Sequence, residues 1–255
     1  MKMIQILPII ASIFILTSCA QKDSDKIGDA QACLDKAKNS SQANTCITKV
    51  EGINSASADG IRCAGKFIGE GFSDPQKYIT ALNNLSGGGG VTGLMGALSF
   101  SSQNDITVDT DNAETTFGYC ANSGGKGATL LAVFAYLNNA IYEFIRTGSS
   151  DDACATTPVS GGYSFASCLS ADAMNVLPNM IQLVDMAATS GSSAYNIQSA
   201  LGAAILTTYN ISCEGGSISS EMCTTLGNSV TGGAGNNRQM FKSFLCTLAP
   251  TTTGC

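Results

Sequence analysis

Apolar side chains recur at helical spacing along most of this chain. Cys33, Leu34 and Ala37 make one short apolar face, Cys46, Ile47, Val50 and Ile53 a second, and Ile61, Ala64, Phe67 and Ile68 a third. Ser40 with Ser41, and the stretch 54–57, break between them. Over 74–85, Tyr78, Ile79, Leu82 and Leu85 repeat on one face. Pro75 suits the first position of that helix, with Ser73 or Asp74 as its cap. Residues 86–90 interrupt the pattern, and 91–100 are apolar and glycine-rich. A membrane-active segment is one reading of 91–100; a short helix in which Gly93, Gly96 and Ala97 allow close packing is the simpler one. The polar, acidic stretch 101–116 marks where the chain would divide into two halves.

The longest apolar helix falls at 126–146 and is almost featureless from Ala128 to Leu137. Asn138, Asn139 and Glu143 argue against a bilayer span, so a central helix buried on most sides is expected. The other helices should pack around it, with Phe134 and Leu131 inaccessible and Asn138, Asn139 and Glu143 toward a polar end or groove. Residues 147–162 read as a loop containing Pro158. Residues 169–188 repeat apolar side chains with Pro178 kinking or restarting the helix. Helices follow at 194–209, at 217–226, and around Met240, Phe241, Phe244, Leu245 and Leu248. No run alternates as a strand would. The expected fold is all-α: a disulfide-stapled helical bundle or irregular helical array around the helix near 126–146, over residues 30–255.

The start of the chain has a different pattern. Lys2 precedes a mostly apolar run over 4–16, too short to cross a bilayer, and Leu16, Thr17, Ser18 and Cys19 follow. Residues 1–18 therefore read as a secretory signal peptide. Residues 16–19 resemble the lipobox of bacterial lipoproteins: a Leu, two small residues, and a Cys that is lipidated before cleavage. The resemblance covers the signal and Cys19 alone. It implies a mature chain that opens on an acylated, palmitate-bearing Cys19, with a polar tether over 19–29. Ala20 stands where an Asp would favour retention in the inner membrane, so the resemblance implies the outer membrane, facing the periplasm or the surface.

Charge narrows the partners. Removing the signal removes Lys2 and no acid, which takes the net charge from −6 to −7. An acidic chain gains nothing from phosphate counterion release, so no nucleic-acid partner is expected. Membrane affinity would come from the acyl chains rather than from a basic cluster. An envelope protein is the expected macromolecular partner. Setting Cys19 aside leaves ten cysteines, an even number that in an exported protein reads as disulfides. With no C-x-x-C pair and no histidine, zinc spacings are absent. Cys33 and Cys46 lie on apolar faces of consecutive short helices. Cys154 with Cys168, Cys213 with Cys223, and Cys246 with Cys255 are each close across a loop. Cys63 and Cys120 remain, and would tie the first half to the start of the long helix.

The lack of histidine removes the commonest general base and the Ser-His-Asp and Cys-His mechanisms. Three constellations remain. Ser123 and Lys126 spell S-x-x-K, which in serine acylases related to penicillin-binding proteins puts the Lys one turn after the Ser. Two glycines intervene and the companion motifs are missing, so a Gly-rich helix start with a solvated Lys competes. Asp105, Asp109, Asp111 and Glu114 could gather around Ca²⁺. The simpler reading is that Asp111 caps a helix whose Glu114 reaches back to it. Two of Glu70, Glu143, Asp172 and Asp185 could face each other in a groove and cleave glycosides, although solvated faces explain them as well. Met174, Met180 and Met186 do not keep to one helix face and read as core. No cofactor is expected. The sequence favours a non-catalytic binding or structural lipoprotein of the envelope. The alternative is an envelope hydrolase acting through carboxylates or through Ser123 and Lys126.

Overall fold

The computed structural model describes residues 22–74, 76, 77, 79, 90–148, 193–214, 221–233, 235–248 and 255. Among the described residues the chain is all-α, without strands, and has nine α-helices. These are α1 (Asp23–Leu34), α2 (Ser40–Ile47), α3 (Ala56–Gly69), α4 (Gly90–Ala97), α5 (Ile106–Ser123), α6 (Lys126–Gly148), α7 (Ser193–Thr208), α8 (Glu221–Gly233) and α9 (Asn237–Leu248). A 3₁₀ turn, Thr48–Val50, follows α2, and a π turn, Tyr209–Cys213, extends α7. No described helix is long and apolar enough to cross a membrane. The expected loop at 147–162, the segment 169–188 and most of the helix at 74–85 lie outside the described residues. Asp74 does accept a hydrogen bond from the Gln76 N–H at 2.9 Å, as a cap would.

Local chemistry sets the helix starts. The Asn39 side chain accepts from the Gln42 N–H to open α2, and Ser55 accepts from the Ala58 N–H to open α3. Two expectations fail for the same kind of reason. Residues 23–29 are helical rather than tether: Asp23 and Asp25 sit in the first turn of α1, where the helix dipole favours acids. The acidic stretch 101–116 is helical from Ile106 onward. Asp105, not Asp111, is the cap, accepting from the Thr107 and Val108 N–H groups, and α5 runs on through both Asp111 and Glu114.

Among the described residues the interior has two parts. The larger core is built on α6, where residues 132–135, 137–139 and 141 are wholly inaccessible. A helix apolar on all sides must be surrounded. α5, α4, α7 and the π turn supply that surround, and α8 and α9 pack against α7. Phe134 is fully buried as expected, but Leu131 is only half-buried, facing a shallow cleft against α3. The smaller core lies among α1, α2 and the first turns of α3, with Ala30, Leu34, Ala43, Val50 and Ile61 inside it. So α1 and α2 do not pack around the central helix. They close on α3, whose second half turns Cys63 and Phe67 into the larger core.

Four disulfides join described residues: Cys33–Cys46, Cys63–Cys120, Cys213–Cys223 and Cys246–Cys255. Each is a pairing expected from the sequence. Cα–Cα separations are 5.0 Å for Cys63–Cys120 and 5.5 Å for the other three. Cys154 and Cys168 lie outside the described residues.

Candidate functional site: a polar cleft beside a clamped loop

Glu70 ends α3 and is buried, although it carries a carboxylate. A buried carboxylate is costly unless hydrogen bonds replace its water. Here the Ser101 and Ser102 N–H groups donate to it at 2.9 and 3.0 Å, and the Ser102 hydroxyl at 2.6 Å. The same loop is gripped from three other directions. Asn139 of α6 accepts from the Phe100 N–H at 3.1 Å and donates to the Phe100 carbonyl at 2.8 Å. Asp109, fully buried in α5, accepts from the Gln103 N–H at 3.0 Å. Asn104 takes a left-handed conformation (φ 55°), which asparagine tolerates, and Asp105 then caps α5. The loop between α4 and α5 is thus fixed by three side chains, Glu70, Asn139 and Asp109, each from a different helix, and by the Asp105 cap.

That loop forms one wall of a polar cleft of about 210 Å³ between α2, α3 and α5. Ser40, Asn44, Lys66, Gln103 and Asn112 converge on it. The Lys66 ammonium donates to the Asn112 side-chain oxygen at 3.2 Å, and the Asn44 amide reaches the Ser40 hydroxyl at 3.5 Å. Glu70 is the one carboxylate among the described lining residues. Lys77 donates to the Glu70 backbone carbonyl and stands 4.6 Å above the Phe72 ring. Burial lowers the pKa of Lys77, opposed by the charges of Glu70 and Asp74.

Neither the Ser123–Lys126 pair nor the acid cluster assembles into a site among the described residues. Ser123 is the last residue of α5 and Lys126 the first of α6, and Gly124 (φ 72°) turns the chain between them. The pair therefore does not stand one turn apart on one helix. The Ser123 hydroxyl donates to the Cys120 carbonyl at 2.7 Å and accepts from the Gly125 N–H at 3.2 Å. The acid cluster is dispersed too. Asp105 is a cap and Asp109 holds the loop, while Asp111 and Glu114 are exposed. Among the described residues, no three Asp, Glu, Cys or His side chains are placed to hold a metal ion. Of the four acids considered for glycoside cleavage, Asp172 and Asp185 lie outside the described residues and Glu70 is engaged by the loop. Glu143 neighbours Tyr136 on α6.

Tyr136 is itself a feature that sequence reasoning missed. It is buried, stacks on Phe117 at 6.2 Å between ring centroids, and donates a hydrogen bond to Glu114. Burial and the carboxylates of Glu114, Glu143 and Asp111 push its phenol far above its ordinary pKa. Asn138 and Asn139 were expected near a polar end or groove, and both are fully buried. For Asn139 the reason is the Phe100 backbone, which needs both a donor and an acceptor at that depth.

No protein-family model, curated protein or solved structure matches the chain.

Proposed function

We propose that the protein is a non-catalytic lipoprotein of the bacterial cell envelope that binds a small polar ligand in the cleft between α2, α3 and α5. One observation carries the binding reading. Glu70, the one carboxylate among the described lining residues, spends its hydrogen-bonding capacity on Ser101 and Ser102, so it builds a wall rather than performing proton transfer. A cleft wall held rigid before binding lowers the ordering cost that a ligand must offset. Ammonium, amide and hydroxyl groups supply donors and acceptors of both kinds, which suits a small polar solute.

The lipobox-like residues 16–19 support the anchoring half of the proposal, with Cys19 acylated and the acyl chains giving membrane affinity. Ala20 supports the outer membrane as the address. The disulfides fit an oxidising compartment.

Two measurements test the reading. Metabolic palmitate should label the wild type and not Cys19→Ser, and the labelled protein should sediment with outer membranes. An unlabelled, normally processed wild type removes the anchor. Thermal-shift measurements against small polar envelope solutes should find one that stabilises the wild type and leaves Lys66→Ala and Asn112→Ala unmoved. Turnover of an ester or glycoside that is lost in Glu70→Gln or Glu143→Gln would instead establish the hydrolase.

A further inference from the structure

The four described disulfides differ in how an external thiol can reach them. Exchange requires a thiolate to approach one sulfur while the other leaves. Cys63, Cys120, Cys46 and Cys213 are buried, and Cys33, Cys223 and Cys246 are half-buried. Cys255 alone among these eight is exposed. Its disulfide with Cys246 lines a cavity of about 240 Å³, together with Lys242, Gln239 and Ser243. It also closes the shortest loop of the four: its sequence separation is 9, against 10, 13 and 57. In the chain-entropy model, opening the shortest loop sacrifices the least stability.

From these observations we infer that Cys255 is a site of S-thiolation, where a small-molecule thiol forms a mixed disulfide and Cys246 is released. The incoming thiolate forms a new S–S bond to Cys255 Sγ. The Cys246–Cys255 bond breaks, and its electron pair stays on Cys246 Sγ as a thiolate. A second thiol of the same class then reduces the mixed disulfide, so that the two thiols become a disulfide and the protein gains two electrons. Lys242 stands one helical turn before Cys246 and shares its cavity. Its positive charge favours the released thiolate, offsetting the partial negative charge at the end of α9.

Cys33–Cys46 is the nearest rival, since it lines a cavity with Lys36. Both of its sulfurs, however, sit on helices packed into the smaller core. A thiolate released there stays beside its partner and closes again. Cys255, in contrast, lies beyond the end of α9 at Leu248.

The test uses the full oxidised chain with reduced glutathione at mildly alkaline pH, quenched in acid, alkylated and mapped by mass spectrometry. Glutathione should appear on Cys255, and the alkyl label on Cys246, before either appears at the other six described cysteines. Lys242→Gln should slow the adduct severalfold, whereas Lys36→Gln should leave the rate unchanged. The double variant Cys246→Ala with Cys255→Ala should keep its helical circular dichroism and take up no glutathione over the same interval. A first adduct at Cys33 or any other cysteine, attachment to Cys246 rather than Cys255, or simultaneous opening of all pairs overturns the assignment. An unchanged rate in Lys242→Gln overturns the role given to that ammonium.

Discussion

At the scale of single residues, buried polar groups fix this molecule as firmly as its apolar ones. Asn139 is the clearest case, because one amide satisfies both backbone groups of the fully buried Phe100. Asn139→Ala would leave a donor and an acceptor without partners, at about 1–3 kcal/mol each. The expected loss in urea unfolding is therefore about 3 kcal/mol. A loss below about 1 kcal/mol would mean that water takes over the amide's role. Tyr136 makes a prediction of another kind. Burial and three nearby carboxylates raise its folded-state pKa above the ordinary 10.0. The folded protein therefore holds that proton at pH values where the unfolded chain has lost it. The stabilisation is complete below about pH 10 and is lost progressively as the pH climbs from there to the folded-state value. Tyr136→Phe should therefore gain stability relative to the wild type as the pH rises through that window: its alkaline unfolding profile should lack the wild type's decline between about pH 10 and the folded-state value, while the gap between the two proteins stays constant below about pH 10. Parallel profiles across the whole alkaline range would show that the phenol does not titrate with folding.

Helices pack here through glycine as well as through large side chains. A Cβ placed on Gly202 of α7 would lie 1.7 Å from the Asn237 carbonyl oxygen at the start of α9. The obstacle is backbone, which cannot rotate away, so Gly202→Ala must drive the two helices apart. Overpacking of this kind typically costs about 1–3 kcal/mol, and a backbone clash belongs at the upper end. Gly118 in α5 has open space around the same position. Gly118→Ala should stabilise by roughly 0.5–1 kcal/mol through helix propensity, which provides a matched control in thermal melts. The elements themselves were largely readable. Ile61, Phe67 and Phe134 announce buried faces by spacing alone, and three of the four described disulfides were readable as neighbours across a turn or loop. The start of α5 was not, because its stabilisation comes from the Asp105 cap and the Asp109 contact to Gln103 rather than from apolar periodicity. The clamped loop was invisible for a related reason. Glu70 and Asn139 meet it across 31 and 39 residues of sequence, further than any local pattern reaches.

For the whole molecule, the decisive feature is that two cores share one helix. α3 gives Ala58 and Ile61 to the smaller core and Cys63 and Phe67 to the larger. Arg62 on the same helix donates to the Val50 and Ile53 carbonyls at 2.7 and 2.8 Å, tying the chain before α3 to it. Cys63–Cys120 then bonds α3 covalently to α5, across a sequence separation of 57. That bond should matter more to stability than any other described disulfide, since a loop of this length contributes about 4 kcal/mol in the chain-entropy model. The shorter Cys33–Cys46 loop contributes about 3 kcal/mol and acts only within the smaller core. Replacing both Cys63 and Cys120 by Ala should therefore do more than lower the overall stability. Amide hydrogen exchange should quicken most in α1, α2 and α3, which keep each other's contacts but lose their covalent tie to α5, while α6 to α9 stay protected. Replacing Cys33 and Cys46 should quicken exchange in α1 and α2 and leave the α3–α5 contact intact. If both double variants raised exchange uniformly across all nine described helices, the two cores would be one cooperative unit, and α3 would be an ordinary member of it rather than the joint between them.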